Sequence, residues 1–274
     1  MIAGRFFLKN FEQYPVSDFT NPFTKNRFCI YEVLRTDEGI PLFLEDHIER
    51  LRQSFNVAGV DAVVNDDDLK TGILKLIKIN GIEEGLIRIV YCFSDRDVDI
   101  IMFHSFVKFP SEEDYRKGVV CELQFAERDN PAAKVYNPEV REKANNLISE
   151  HKIYETLLVN AENKITEGSR SNVFFIKDDS IITAPDDAVL HGITRKKVIS
   201  IIEDAGLTLN YELADVELLN KMDAVFITGT TPKVLPVREI NNLTFNNSHS
   251  VIFKILNEYN RMIEDYKKSF GQGH

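Results

Sequence analysis

The chain has 274 residues, enough for one large or two modest domains around a sizeable core, and its 43% hydrophobic and 28% charged residues are ordinary globular composition. A formal charge of −10, with Lys and Arg interleaved among Asp and Glu, excludes the basic stripe that a nucleic acid partner requires, and no apolar run approaches a membrane span. The three cysteines, Cys29, Cys92 and Cys121, are odd in number and far apart in sequence, which excludes a disulfide framework and a zinc site, and six scattered histidines form no metal motif.

Residues 1–27 hold a strand-like Phe6-Phe7-Leu8 and then a polar loop with Pro15 and Pro22. The start has no apolar run of export length, so a cytoplasmic location with reduced core thiols is expected. Phe28 to Thr36 is strand-like, and after the turn Asp37-Glu38-Gly39 a second strand, Ile40 to Leu44, completes a predicted hairpin. Alternation sends Tyr31, Val33 and Arg35 to one face and Glu32 and Leu34 to the other. Asp46 begins a predicted helix to Phe55, with Ile48, Leu51 and Phe55 at helical spacing, His47 and Arg50 on a common side, and Gly59 near its end. A second helix is predicted from Asp67 to Ile79, then strands over Leu86 to Phe93 and Val98 to Val107. Arg88, inside the first of these, must find an anion or several acceptors, and a buried salt bridge is the plain alternative to a ligand.

The pattern breaks near Lys108 to Gly118, and residues 111–118 are the expected linker between a small N-terminal domain, 1–110, and a larger C-terminal domain, 119–274. Beyond it come a strand at Val119 to Phe125, a loop through Pro131 to Lys134, and a helix from Pro138 to His151 with proline in its first turn. A strand over Glu155 to Asn160 precedes the polar cluster Lys164 to Asn172, and Asn172 to Ile176 is strand-like again. A surface turn has no use for Glu167 flanked by Thr166, Gly168 and Ser169, so a site is expected there. Gly192-Ile193-Thr194-Arg195 opens a helix whose free amides suit an anion. The strand Val225 to Thr228 ends in Gly229-Thr230-Thr231-Pro232, a loop able to hold a phosphate or carboxylate, and an amphipathic helix from about Ser248 to Phe270 closes the chain.

Together these are a loop lysine, a carboxylate at a strand end, an arginine on an early helix and two hydroxyl-rich loops. Pyridoxal 5'-phosphate needs such a set: a lysine amine for its aldehyde, an acid beside its ring nitrogen, and amides, hydroxyls and a cation for its phosphate. The segments Tyr31-Glu32-Val33-Leu34-Arg35 and Pro41 to Leu51 resemble the N-terminal signature of the class IV (fold-type IV) pyridoxal-phosphate aminotransferases. That family holds branched-chain aminotransferases, D-amino acid aminotransferases and aminodeoxychorismate lyases. The resemblance continues through Lys134-Val135-Tyr136-Asn137, Tyr154-Glu155, Ile165 to Asn172, Gly192 to Arg195, and Thr228 to Thr231 before Pro236-Val237, and so covers most of residues 28–240.

What the resemblance implies is an α+β fold of two domains, a small N-terminal α/β domain and a larger, mixed barrel-like C-terminal domain with flanking helices, assembled as a homodimer. It implies Lys134 as the cofactor lysine and Glu167 as the partner of the ring nitrogen. Arg50, the backbone amide of Ile193, Thr194 and Thr230 would hold the phosphate, and Tyr31, Arg88, Thr230 and Thr231 would line the substrate side. Lys143 is the competing lysine, but it stands too close to Glu155 for the family's spacing and on the exposed side of the predicted helix. The sequence departs from the family where Asn26 to Ile30 replaces a glycine-aspartate-glycine run, and where no threonine-arginine-glycine follows Gly85, which counts against a D-amino acid aminotransferase. Arg88 matches a basic position of branched-chain aminotransferases and lyases, while the lyases' threonine near Val33 is missing. The expected activity is transfer of an amino group between a branched-chain-like amino acid and a 2-oxo acid. The alternatives are release of pyruvate and 4-aminobenzoate from aminodeoxychorismate, and a non-catalytic dimer that keeps the fold.

Overall fold

A computed structural model of the protein describes residues 2–24, 27–94, 97–128 and 131–270; Asn26, part of the departure noted above, lies outside them. The chain forms two compact units, the first comprising Met1–Lys108, Ala133–Pro138 and Ile263–His274 and the second Phe109–Ala132 and Glu139–Met262.

In the first unit, strands β1 (Ile2–Lys9), β2 (Glu12–Pro15), β3 (Phe28–Asp37) and β4 (Ile40–Pro41) precede helices α1 (Leu44–Ala58) and α2 (Asp66–Asn80), and β5 (Gly85–Phe93) and β6 (Val98–Ser105) follow. The strands pair antiparallel in the order β2-β1-β6-β5-β3-β4. Alternation along β3 sorts its side chains as expected. Ile30 and Leu34 join Ile87, Ile89 and Tyr91 in a core with Ile48, Leu51 and Phe55 of α1 and Leu69, Ile73 and Leu76 of α2. On the opposite face Tyr31 packs with Phe7, Val90, Ile101 and Phe103, with Phe23, Val33 and Tyr136 against them. The three cysteines are buried thiols, and β3–β5 register sets Cys29 directly opposite Cys92.

The predicted hairpin is cut short: β4 ends at Pro41, and Leu44 already belongs to α1. Phe43 takes a left-handed conformation (φ 53°) that turns the chain into the helix. The first amide of α1 is satisfied from far away, since Leu44 N–H donates to the Tyr266 hydroxyl at 3.0 Å and that hydroxyl donates to Glu45 at 2.7 Å. By contrast α2 is capped locally, with Asn65 Oδ1 accepting from the amides of Asp67 and Asp68 and Gly81 ending the helix at φ 63°.

The second unit begins with α3 (Glu112–Lys117), so residues 111–118 fold as a helix closed by a reciprocal Ser111–Asp114 capping box and ended by Gly118. Then follow β7 (Val119–Phe125), α4 (Pro138–His151, its first residue in the first unit), β8 (Glu155–Val159), β9 (Lys164–Gly168), β10 (Asn172–Lys177), β11 (Ser180–Thr183), α5 (Ile193–Asp204), β12 (Thr208–Tyr211), β13 (Ala214–Asp215), β14 (Ala224–Gly229), β15 (Lys233–Ile240), β16 (Leu243–Thr244) and α6 (Ser250–Phe270), whose last turns from Ile263 belong to the first unit. Its strands form a mixed sheet in the order β12-β11-β10-β14-β15-β7-β8-β9-β13, with β16 on β15. Val173, Phe175, Val225, Ile227, Leu235 and Val237 fill its core. The predicted strand and helix pattern holds here, with two differences. Glu167 lies inside strand β9, and the final helix begins at Ser250. Among the described residues no helix is long and apolar enough to cross a membrane.

Candidate active site

Lys134 is placed by backbone pairing. Residues 133–138 run beside the edge of β3 that β4 leaves open, with Val135 in an antiparallel bridge to Ile30. Tyr31 N–H donates to the Lys134 carbonyl at 3.2 Å, Tyr136 N–H to the Cys29 carbonyl at 3.0 Å, and Lys134 N–H to Ser54 Oγ of α1 at 3.1 Å. These bonds fix the backbone on both sides of Lys134, and its ammonium sits 5.2 Å from the centroid of the Tyr31 ring, a cation–π contact. Lys143 has no such setting: it is exposed on α4 and donates to the Phe125 carbonyl.

Behind Tyr31, the residues that alternation turned toward the helices make a buried ionic group. Arg50 grips Glu32 with two donors, Nε to Oε1 at 2.8 Å and Nη2 to Oε2 at 2.6 Å, and His47 Nδ1 lies 2.8 Å from Oε2. Burial works to raise the Glu32 carboxyl, but the charge and hydrogen bonds of Arg50 and then of His47 outweigh it and hold it well below the usual carboxylate range. Burial lowers the His47 imidazole, against the pull of Glu32. Arg50, expected as a phosphate ligand, is thereby locked in orientation by a carboxylate that sequence reading assigned no role. Arg88 shares the sheet face of Tyr31, opposite Val33 in register, with its guanidinium 5.5 Å from the centroid of the Phe23 ring.

In the second unit, Glu167 is 2% exposed and, among the described residues, receives three donors: Arg128 Nη1 at 2.9 Å, the Leu190 amide at 3.2 Å and Asn172 Nδ2 at 3.4 Å. Asn172 also donates to the Leu190 carbonyl at 2.9 Å, which ties Glu167 to the loop before α5. Close approach requires two glycines here, because a Cβ on Gly168 would strike Ser171 Oγ and one on Gly192 would strike Asn172 Oδ1. Glu155 builds the turn after Glu167, accepting from Ser169 Oγ at 2.6 Å, Ser171 Oγ at 2.9 Å and the Arg170 amide at 3.1 Å. Ile193 and Thr194 open α5, whose N-cap Gly192 supplies no side-chain cap, and Thr194 Oγ1 lies 3.3 Å from the Tyr259 hydroxyl. Thr230 and Thr231 stand half-buried in the turn between β14 and β15. Two residues before them, β10–β14 register pairs Thr228 with Asn172.

Of the expected site residues, Tyr31, Arg50, Arg88 and Lys134 lie in the first unit, Arg50 on the opposite sheet face from Tyr31 and Arg88, and Glu167, Ile193, Thr194, Thr230 and Thr231 lie in the second. Sequence reading missed Glu32, His47, Arg128, Glu155 and Leu190. Glu32 had one signal, a carboxylate on the helix-facing side of a strand, and Arg128 had none.

Residues 29–240 match the family described as amino-transferase class IV. The chain belongs to that family. Class IV aminotransferases depend on pyridoxal phosphate, and this member is 31% identical to the D-alanine aminotransferase of Bacillus licheniformis over 78% of its own length and 80% of the relative's. A Methanocaldococcus jannaschii protein assigned as a branched-chain-amino-acid aminotransferase is 24% identical, with 88% of each chain covered. An aminodeoxychorismate lyase of Bacillus subtilis is also a relative. The crystal structure of the branched-chain aminotransferase from the thermophilic archaeon Thermoproteus uzoniensis with norvaline superposes with a TM-score of 0.83 at 22% identity, covering 98% of this chain and 97% of that one. A branched-chain amino acid aminotransferase crystallised with pyridoxamine 5'-phosphate superposes equally well, with a TM-score of 0.83 at 22% identity over 96% of this chain and 95% of that one. The fold is thus the two-domain α+β fold of fold-type IV, as the sequence motifs implied.

Proposed function

We propose that this class IV aminotransferase uses pyridoxal 5'-phosphate to move an amino group between a branched-chain-like amino acid and a 2-oxo acid. The observation that carries the reading is Lys134, whose backbone is bonded on both sides to β3 and α1 and whose amine lies beside the Tyr31 ring. The residues fit the cofactor. The Oγ1 of Thr228 is buried with no hydrogen-bond partner among the described residues, the first turn of α5 has no side-chain cap, and Glu167 is an acceptor fixed by three donors. Arg50, the Ile193 amide, Thr194 and Thr230 would take the phosphate, Glu167 the ring nitrogen and Lys134 the aldehyde carbon. When bound, the cofactor supplies a carbonyl carbon and an electron-withdrawing ring. Lys134 acts as the base that carries the proton from the substrate's α carbon, and Glu167 keeps a proton on the ring nitrogen. The aromatic wall of Phe23, Tyr31 and Tyr136 with Val33, and the guanidinium of Arg88, match an amino acid with an apolar side chain and a carboxylate. A homodimer accompanies this reading.

Replacing Lys134 with Ala is expected to remove both turnover and the absorbance of lysine-bound cofactor; absorbance that persists moves the role to another lysine. An amino-donor panel then tests substrate class, with branched-chain amino acids expected to convert the cofactor to its amine form. Pyruvate released from aminodeoxychorismate without an added 2-oxo acid would instead show the lyase reaction of the Bacillus subtilis relative.

A further inference from the structure

We propose that Cys29 and Cys92 are a peroxide-sensitive dithiol that closes reversibly to a cross-strand disulfide. The two residues are direct register partners on β3 and β5, both have no exposed surface, and their Sγ atoms lie 2.9 Å apart. Directly opposed residues on antiparallel strands hold their Cβ atoms about 4.5–5.5 Å apart, and a disulfide needs about 3.5–4.5 Å, so a small closure of the ladder suffices. The other polar contact of the pair is weak, Cys29 Sγ to the Pro22 carbonyl at 3.5 Å. No role in the proposed transamination uses either thiol.

Burial does not seal the pair. Cys29 and Cys92 stand one register step from Phe28 and Phe93, the pair with which β3 begins and β5 ends, and Phe28 is 42% exposed. The sulfurs face the Tyr31 side of the sheet near Phe23 and the Pro22 carbonyl, so a local opening of this sheet end together with that segment uncovers them without global unfolding. The pair is also asymmetric. Its hydrogen bond with Cys92, assisted by the Arg27 guanidinium, lowers the Cys29 thiol against the opposing effect of burial, while the same hydrogen bond and burial raise Cys92.

The chemistry needs only the 2.9 Å approach of the two sulfurs, and the asymmetry names Cys29 as the first to react. The Cys29 sulfur attacks hydrogen peroxide; the S–O bond forms, the O–O bond breaks, and the departing hydroxide leaves as water with the Cys29 proton. The Cys92 sulfur then attacks the sulfenic sulfur of Cys29; the S–S bond forms, the S–O bond breaks, and the hydroxyl leaves as a second water with the Cys92 proton. The two thiols are oxidised by two electrons, and one peroxide is reduced to two waters. A small thiol reverses the bridge by exchange.

The test treats the folded full-length protein with hydrogen peroxide, then counts thiols under denaturing conditions and maps unreduced peptides. The expected result is a fall from three free thiols per chain to one, a peptide joining Cys29 to Cys92, and recovery of all three on adding dithiothreitol. A Cys92→Ala variant should stop at the sulfenic acid of Cys29, captured by dimedone. Retention of three thiols, loss of Cys121 before the pair, oxidation of Cys29 in the wild type without a bridge, or a bridge that forms only in denaturant each overturns the proposal. If the variant does not fold, the wild-type peptide map decides alone.

Discussion

Glu32 in the first unit and Glu167 in the second are both almost fully buried, at 1% and 2% exposure, but the groups around them differ in kind. Glu32 takes two guanidinium donors and an imidazole, all at 2.8 Å or less. Glu167 takes one guanidinium donor at 2.9 Å and two neutral amides at 3.2 and 3.4 Å. Each accepts three donors, but short bonds from charged groups hold those groups in place, and here that fixes Arg50. A carboxylate with longer, mostly neutral contacts is held less strongly and can engage a further donor, which is what the partner of a ring nitrogen requires.

The contrast predicts opposite consequences for one substitution made at each place. Glu32→Ala leaves Arg50 and His47 buried beside one another without their anion, and the expected loss of stability is about 3–5 kcal/mol by urea unfolding. Glu167→Ala is expected to cost about 1–3 kcal/mol, while slowing turnover of the cofactor-loaded enzyme roughly a hundredfold or more. Equal destabilisation with unchanged turnover at 167 would erase the distinction.

A second prediction concerns acid. Burial pushes the His104 imidazole on β6 down to about 4. The folded protein keeps this group neutral while the unfolded chain protonates it near pH 6.5, so the unfolded state binds more protons in the interval. The stabilisation is complete above pH 6.5 and is lost as pH falls to about 4, worth roughly 3 kcal/mol from this site. His47 is shifted the same way, and Glu32, held low, adds a loss that begins in the ordinary carboxylate range, near pH 4.5 where the unfolded chain takes up the proton, and deepens below it. Urea midpoints measured across this interval for the protein and a His104→Leu variant should diverge, the variant having the flatter profile; parallel profiles would remove His104 from the account.

The smallest effect belongs to a local feature of the first unit. Asn65→Ala removes two hydrogen bonds from the N-terminus of α2 and is expected to cost about 1 kcal/mol with no change in cofactor affinity. A change in affinity would mean that α2 has a role in the site beyond packing.

Much of this was legible along the chain. Periodicity predicted α2, α4 and α5 to within a residue or two and sorted the two faces of β3, and Gly59 and Gly81 marked where α1 and α2 stop. The spacing of Lys134, Glu167, Ile193 and Thr230 in recognisable motifs pointed to the family. These features are readable because helical and strand periods, caps and turns depend on residues a few positions apart.

Contacts between distant positions were not legible. Arg128 reaches Glu167 across 39 positions, Cys92 meets Cys29 across 63, and Tyr266 caps α1 from 222 positions away. No local period encodes those meetings, because they follow from strand register and from which edge of β3 the segment around Lys134 joins. By itself the sequence determined most of the elements and the family, and pointed to candidate residues for the site. Tertiary structure decided which carboxylate is held by charged donors, which lysine is strapped beside Tyr31 and which thiols face each other, since each depends on pairing between segments far apart in the chain.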